Sequence, residues 1–304
     1  MEGFQAGEFL PVWILLVLLA VTVIILGLRA GARAVKGALV TGCILALILF
    51  LALFFRDGNG LQRLESLFGE TPSAVTRILP KEREPVSTRL KDYQVEPLSP
   101  DSPSDTEEGS VRYGAVIRLG ELDEYGRSTW AHIRLSEDQE PGNNGEERDE
   151  YIYVDPAGWK NFEINGNWAN NRCHLIGYQF SGLNDELRNL SIGTSYLNKG
   201  TEGAGTEEGN PDGMLYYEQK LDQWLSDHPE GELDLYVRPV YEGDNFTPTY
   251  YYMQWTGFDA EGNTMPIDLG GKSEVFDEVT GGVLLPNQSP SYAIDYETGE
   301  VTGK

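Results

Sequence analysis

Two long apolar runs dominate the hydrophobic pattern at the start of the chain. Leu10–Leu28 (LPVWILLVLLAVTVIILGL) carries no charge over 19 residues, and Ala38–Phe55 (ALVTGCILALILFLALFF) repeats the pattern over 18. Each is close to the ~20 residues that a helix needs to cross a bilayer core, so the pattern predicts a transmembrane hairpin with helices at about 10–28 and 38–55. A cleaved signal peptide would start basic and have a shorter apolar core, whereas this chain opens with Glu2 and Glu8. The turn between the two runs holds Arg29, Arg33 and Lys36. Short basic loops stay in the cytoplasm, so everything after Phe55 is expected outside, with Arg56 the one charge against that orientation.

Beyond the hairpin the pattern changes twice. Residues 61–80 show brief apolar periodicity broken by Gly69 and Pro72, a juxtamembrane helix followed by a turn. Lys81–Ser110 is rich in Pro, Ser and acid (SPDSPSDTEEGS) and reads as a flexible spacer; residues 59–108 together form the juxtamembrane segment and linker. After it, alternation with period two begins. VRYGAVIRLGEL and STWAHIRLSE, separated by DEYGR, predict a β-hairpin, and ELDLYVRPVYEG, TYYYMQWTGFD and IDYETGEV predict further strands. In Leu215–Leu225 (LYYEQKLDQWL), Leu215, Leu221, Trp224 and Leu225 fall near one helical face. Strands around a small helical middle predict one α+β domain over residues 109–304.

Charge bears on the partner. The chain has a net charge of −25, and residues 1–60, with four basic and three acidic groups, contribute +1, which leaves −26 for the rest. Such a field repels a polyanion at long range, so nucleic acid could be held only where local cations overcome it. Of the two cysteines, Cys43 lies in the second apolar run and Cys173 far outside it, so they do not pair and the outer domain must be stable without a disulfide.

The stretch NRCHLIGYQFSG holds His174, one of only three histidines, directly after Cys173. Taken alone it is a catalytic base, half of a Cys-His pair, a metal ligand or a structural histidine. Neighbours in a strand point to opposite faces, which argues against the pair. His132 and His228 have no zinc-like spacing to a cysteine or another histidine.

Several polar residues follow in a fixed order: Gln179, Asn189 in RNLSIGT, Asn198 in SYLNKG and Glu218 in LYYEQK. This arrangement resembles the DNA/RNA non-specific endonucleases, the ββα-metal group that includes membrane-bound DNA-entry nucleases of competent bacteria. The resemblance runs from about Gly158 to Val301 and takes in LYVRPVYEGDN and IDYETGEV. The family's usual Asp-Arg-Gly-His becomes Asn171-Arg172-Cys173-His174 here. The resemblance implies a ββα-metal fold with His174 as general base and Asn198 as the single protein ligand of Mg²⁺, or another hard ion such as Mn²⁺. It further implies Glu218 as the helix glutamate that holds water on the ion, Asn189 shaping the site and Arg172 as the motif arginine. Gln179 and Arg238 are weaker candidates for the site wall. The family places the glutamate about eight residues after the metal asparagine; the longer interval here is filled by GTEGAGTEEGNPDG, residues 200–213, an insertion that can loop out.

These residue types suit phosphodiester hydrolysis. A base with a pKa near neutral activates water, and a hard, oxygen-ligated cation offsets charge on the phosphate and the leaving oxygen. A neutral asparagine ligand leaves the ion its full charge, which supplies locally the positive potential that the domain lacks. The expectation is a membrane-anchored, extracytoplasmic, metal-dependent endonuclease that cuts DNA, with RNA a second candidate substrate. The rivals are an inactive surface-anchored binding module on the same fold, favoured by the acidity and the motif departures, and a Cys173-dependent hydrolase.

Overall fold

A computed structural model describes residues 86–104 and 113–304. The expected transmembrane helices at 10–28 and 38–55 and the juxtamembrane helix at 61–80 lie outside the described residues. Among the described residues no helix is long and apolar enough to cross a membrane.

The expected hairpin forms first, as β1 (Val116–Leu119) and β2 (Ala131–Leu135), joined antiparallel. Its turn is closed by Asp123, whose Oδ1 accepts from the backbone N–H groups of Tyr125 and Arg127 at 3.0 and 2.9 Å. A small ribbon, β3 (Glu163–Ile164) and β4 (Asn167–Trp168), leads into β5 (Asn170–His174). Helix α1 (Tyr178–Ser181) follows, then β6 (Leu190–Thr194), which pairs with β5, and α2 (Ser195–Lys199). Helix α3 (Met214–Asp227) precedes the long strands β7 (Glu232–Val240) and β8 (Tyr250–Phe258). The chain closes with β9 (Thr264–Met265), β10 (Glu274–Phe276), β11 (Thr280–Pro286) and the hairpin β12 (Tyr292–Ile294) and β13 (Val301–Gly303).

The main sheet has the order β1-β2-β7-β8-β11-β10, with β9 added beside β8, and its pairings are antiparallel. Alternation divides its faces. Ile133 and Leu135 of β2, Leu233, Leu235 and Val237 of β7, and Met253 and Trp255 of β8 join one apolar core. Helix α3 docks there through Met214, Tyr217, Leu221 and Leu225, with the Tyr217 and Trp255 rings stacked 5.8 Å apart. The predicted face is met by Leu221 and Leu225, with Trp224 packed at its edge, while Leu215 is only partly buried, because 214, 217, 221 and 225 are the positions whose i, i+3/i+4 spacing meets the sheet. Fully burying one such side chain contributes about 1.5–3 kcal/mol.

The opposite face is polar and still buried. His132 and Asp234, at 4% and 0% exposure, share a 2.7 Å bond, and Arg134 pairs with Glu232. Residues 86–104 account for this, since the segment expected as a flexible spacer runs across that face. Leu98 N–H donates to Asp234 at 2.8 Å, Arg134 donates to Leu98 O at 2.7 Å, and Gln254 bonds both the N–H and C=O of Val95. Tyr93 packs on Tyr252 with ring centroids 5.4 Å apart. A Pro/Ser-rich composition suits a linker, but it does not prevent a chain from using its backbone polar groups to satisfy a polar sheet face.

The insertion at 200–213 closes on itself at a glycine neck. Gly200 has φ +78°, and a Cβ on Gly213 would lie 2.8 Å from Gly200 Cα, so two glycines let the loop's ends touch. Asn210 donates to Gly200 O at 2.7 Å, and Tyr196 of α2 donates to Asp212 at 3.1 Å. The fourteen residues therefore leave and re-enter at one point, and α2 and α3 still pack together.

Candidate active site

β5, β6 and α2 form a strand–strand–helix unit, with Cys173 opposite Ser191 and His174 opposite Leu190. Thr194 caps α2 by accepting from Leu197 N–H at 3.0 Å, and Gly200 ends it in the left-handed region. Asn287, fully buried, fixes the entry to that helix by accepting from Thr194 N–H and donating to Ile192 O and Pro248 O.

His174 is the last residue of β5 and is 7% exposed. Its Nε2 lies 3.1 Å from Asn184 O. A carbonyl can only accept, so Nε2 carries the proton and Nδ1 keeps a lone pair. Burial, with a smaller contribution from the positive charge of Arg148, lowers the imidazole pKa to about 4 against the opposing bond to Asn184. The ring is therefore a neutral acceptor at any ordinary pH.

The chain just past His174 is held by Asn189. Its Oδ1 accepts from Ile176 N–H and its Nδ2 donates to Ile176 O, both at 3.0 Å, while its own carbonyl takes Leu175 N–H at 2.8 Å. At 0% exposure, Asn189 positions His174 from behind and does not reach a ligand.

On the other side of β5, the Cys173 thiol donates to Asn198 Oδ1 at 3.1 Å and packs 3.6 Å from Met214 Sδ. Burial, reinforced by the negative charge of Glu218, pushes the thiol pKa upward, so Cys173 stays a protonated donor and a poor nucleophile. A serine would keep that donor. Activity of Cys173→Ser is expected within about threefold of wild type in an initial-rate assay, and its abolition would revive the cysteine-dependent reading.

Glu218 is carried by α3, and the Gln179 side chain of α1 favours its ionised form. Gly177 makes room for that glutamine, since a Cβ there would meet the Gln179 side chain at 2.6 Å. Burial raises the Glu218 pKa to about 7, against the lowering effects of the Gln179 bond and the Arg148 charge. Arg148 thus acts electrostatically on both His174 and Glu218, and its Nε donates to Asn184 Oδ1 at 3.4 Å. Sequence reasoning missed Arg148; the available signal was a single arginine inside the acidic run EERDE.

Two predicted residues are committed to other partners. Arg172 shares the β5 face of His174, but its guanidinium is engaged by Asp155 at 2.6 Å and sits over the Trp159 ring at 4.5 Å. Arg238 belongs to the opposite face of the main sheet, over the Tyr93 ring at 5.6 Å. Period two decides this: Val237 faces the core under α3, so its neighbour faces away, and Arg238 is no part of the site wall.

Beside Gln179 opens a cleft of about 400 Å³, lined in part by Arg148, Tyr178, Glu140 and Asp222. Glu140 is 6% exposed, and burial, with the negative charge of Asp222 next, raises its pKa to about 8. The folded state therefore holds this proton more tightly than the unfolded chain, and stability falls as pH rises from about 4.5 to 8. Glu140→Gln is expected to melt about 5 °C above wild type at pH 8, with the difference vanishing near pH 5, in thermal denaturation monitored by circular dichroism.

A buried imidazole is held by a carbonyl at the end of β5, with an asparagine on the following helix and a glutamate on the next. The DNA/RNA non-specific endonuclease model matches residues 109–256, from ahead of β1 into β8. A solved extracellular nuclease is 36% identical, with a TM-score of 0.52, and the match covers 62% of this chain and 94% of that one. The chain belongs to the DNA/RNA non-specific endonuclease family. A solved extracellular endonuclease, 32% identical with a TM-score of 0.54, covers 71% of this chain and 95% of its own. NucA from Streptococcus agalactiae, solved with a magnesium ion bound, is 18% identical with a TM-score of 0.44, over 67% of this chain and 82% of that one. No curated protein matches. Family membership makes the domain a nuclease on the ββα-metal fold, with an antiparallel sheet and few helices, and nucleic acid its substrate.

Proposed function

We propose that this endonuclease is anchored to the cell membrane by the hairpin at residues 10–28 and 38–55, and that it cuts DNA, and RNA alongside it, outside the cytoplasm. The apolar runs and the basic turn support the anchor. Two similar solved structures, an extracellular nuclease and an extracellular endonuclease, support the outward orientation.

The observation that carries the chemistry is the bond from His174 Nε2–H to Asn184 O, which leaves Nδ1 as a fixed acceptor in a buried setting. In this reading Nδ1 takes a proton from the attacking water as its oxygen bonds to phosphorus and the P–O bond to the leaving sugar oxygen breaks, that oxygen taking a proton from solvent, while Arg148 faces the phosphate oxygens. Asn189 and Asn184 hold the imidazole in place, while Cys173 orients the Asn198 amide. Gln179 does the same for the Glu218 carboxylate.

The donor set fits a hard divalent cation. Asn198 Oδ1 uses one lone pair on the Cys173 thiol and keeps another, and among the described residues no group of three or more His, Cys, Asp or Glu side chains forms a dedicated cage. An ion such as Mg²⁺, which keeps most of its waters, needs little more than that. When bound at Asn198, with Glu218 in support, Mg²⁺ or Mn²⁺ would offset charge on the phosphate and the leaving oxygen.

Incubation of the full-length chain, purified in detergent with Mg²⁺, with linear duplex DNA and with RNA tests this reading. Fragments of broad size distribution are expected; intact substrates would contradict it and favour an inactive module. For the anchor, protease added to intact cells should remove the domain after residue 60, and its protection would overturn the outward orientation.

A further inference from the structure

Two of the most exposed large side chains of the described domain stand next to each other. Tyr151 is 65% and Tyr153 72% exposed, with ring centroids 6.3 Å apart. They belong to an extended segment in which 151, 153 and 155 face outward while 152 and 154 are half-buried. Exposed aromatics of this size are costly without a use, and two at i and i+2 make a continuous apolar step.

The segment is fastened to the catalytic hairpin at both ends. Asn184, whose carbonyl holds His174, donates through Nδ2 to Tyr151 O at 2.6 Å, and Asp185 accepts from Tyr153 N–H at 2.6 Å. Two residues on, Asp155 pairs with Arg172, which shares the β5 face of His174. The backbone of Tyr151 is therefore tied to the residue whose carbonyl holds His174, one asparagine away.

Charge indicates what they can hold. The run EERDEYIYVD, which contains both tyrosines, holds five carboxylates against one arginine, in a domain already strongly acidic. A phosphate is repelled there; an uncharged base face is not. We propose that Tyr151 and Tyr153 form a stacking platform for unpaired bases next to the scissile phosphate, giving the enzyme a preference for single-stranded or frayed nucleic acid. This rests on the nuclease reading. It also explains how so acidic a nuclease holds a polyanion, with base faces rather than cationic side chains supplying affinity beyond the scissile phosphate.

The test compares KM and kcat of the full-length chain on a single-stranded oligonucleotide and on a blunt duplex of the same sequence. Variants are Tyr151→Ala, Tyr153→Ala, the double alanine variant and the double Tyr→Phe variant. Each alanine is expected to raise KM for the single strand about tenfold, with kcat little changed, while the duplex KM moves far less. The phenylalanine variant keeps wild-type KM, since the ring and not the hydroxyl carries the contact. An unchanged single-strand KM in the double alanine variant, or an equal rise on both substrates, overturns the platform and leaves the nuclease reading standing. A wild-type chain that cuts neither substrate overturns both.

Discussion

His174→Ala lowers kcat on a short oligonucleotide substrate by about a thousandfold, with KM and melting temperature close to wild type. The magnitude is that of a general base, which contributes on the order of 10²–10⁴ in rate. The separation of kcat from KM follows from the geometry: the ring is turned inward onto Asn184 and offers only Nδ1, so its removal takes away a proton acceptor and no binding contact. The fold tolerates the change because Asn189 holds the following residues through Ile176 and Leu175, with no help from the imidazole. Stopped assays at saturating substrate, with melting by circular dichroism, check both halves.

Asn198→Ala is expected to cost about a hundredfold or more in activity and to raise the Mg²⁺ concentration for half-maximal rate by a similar factor. Asn198 offers a neutral oxygen already oriented by the Cys173 thiol, and no cluster of three acidic, His or Cys side chains among the described residues stands ready to replace it. Alanine also removes the shortest of the thiol's contacts, leaving it the longer ones to His174 O and Met214 Sδ, a small stability penalty of about 1 kcal/mol. Activity titrated with Mg²⁺ measures the effect directly. An unchanged half-saturating concentration would mean that the ion is held elsewhere.

How much of this was legible beforehand varied with the physics of each element. The strands of the main sheet announced themselves because one face is apolar: Leu233, Leu235 and Val237 alternate with polar partners, and the period is visible in sequence. Helix α3 was legible in extent, but its buried face was offset, since Tyr217 and Met214 reach the core and Leu215 does not. β11, with Gly281 and Gly282 in it, was not foreseen; glycines lower the β signal, yet here a Cβ on Gly281 would meet the Trp255 indole at 2.2 Å. The segment 86–104 was read from composition alone, and composition cannot show that a polar sheet face is waiting for backbone partners.

In the site, His174, Asn198 and Glu218 came from one ordered pattern, and the structure supplies what order cannot. The thiol between His174 and Asn198 turns from a filler into a donor. Arg148 and Asn184 escaped notice because each acts across a loop whose path the sequence does not reveal. Arg238 was drawn into the site by its motif neighbours and belongs to the other face.

Metal-dependent hydrolysis at this site is tested most directly by conversion of closed-circular plasmid by the full-length chain in Mg²⁺, in excess chelator, and in chelator followed by surplus Mg²⁺, with His174→Ala in parallel. Cleavage that stops with chelator, returns with Mg²⁺ and is nearly absent in the variant is the expected result. Cleavage that survives chelation, or proceeds at wild-type rate without the histidine, would contradict it.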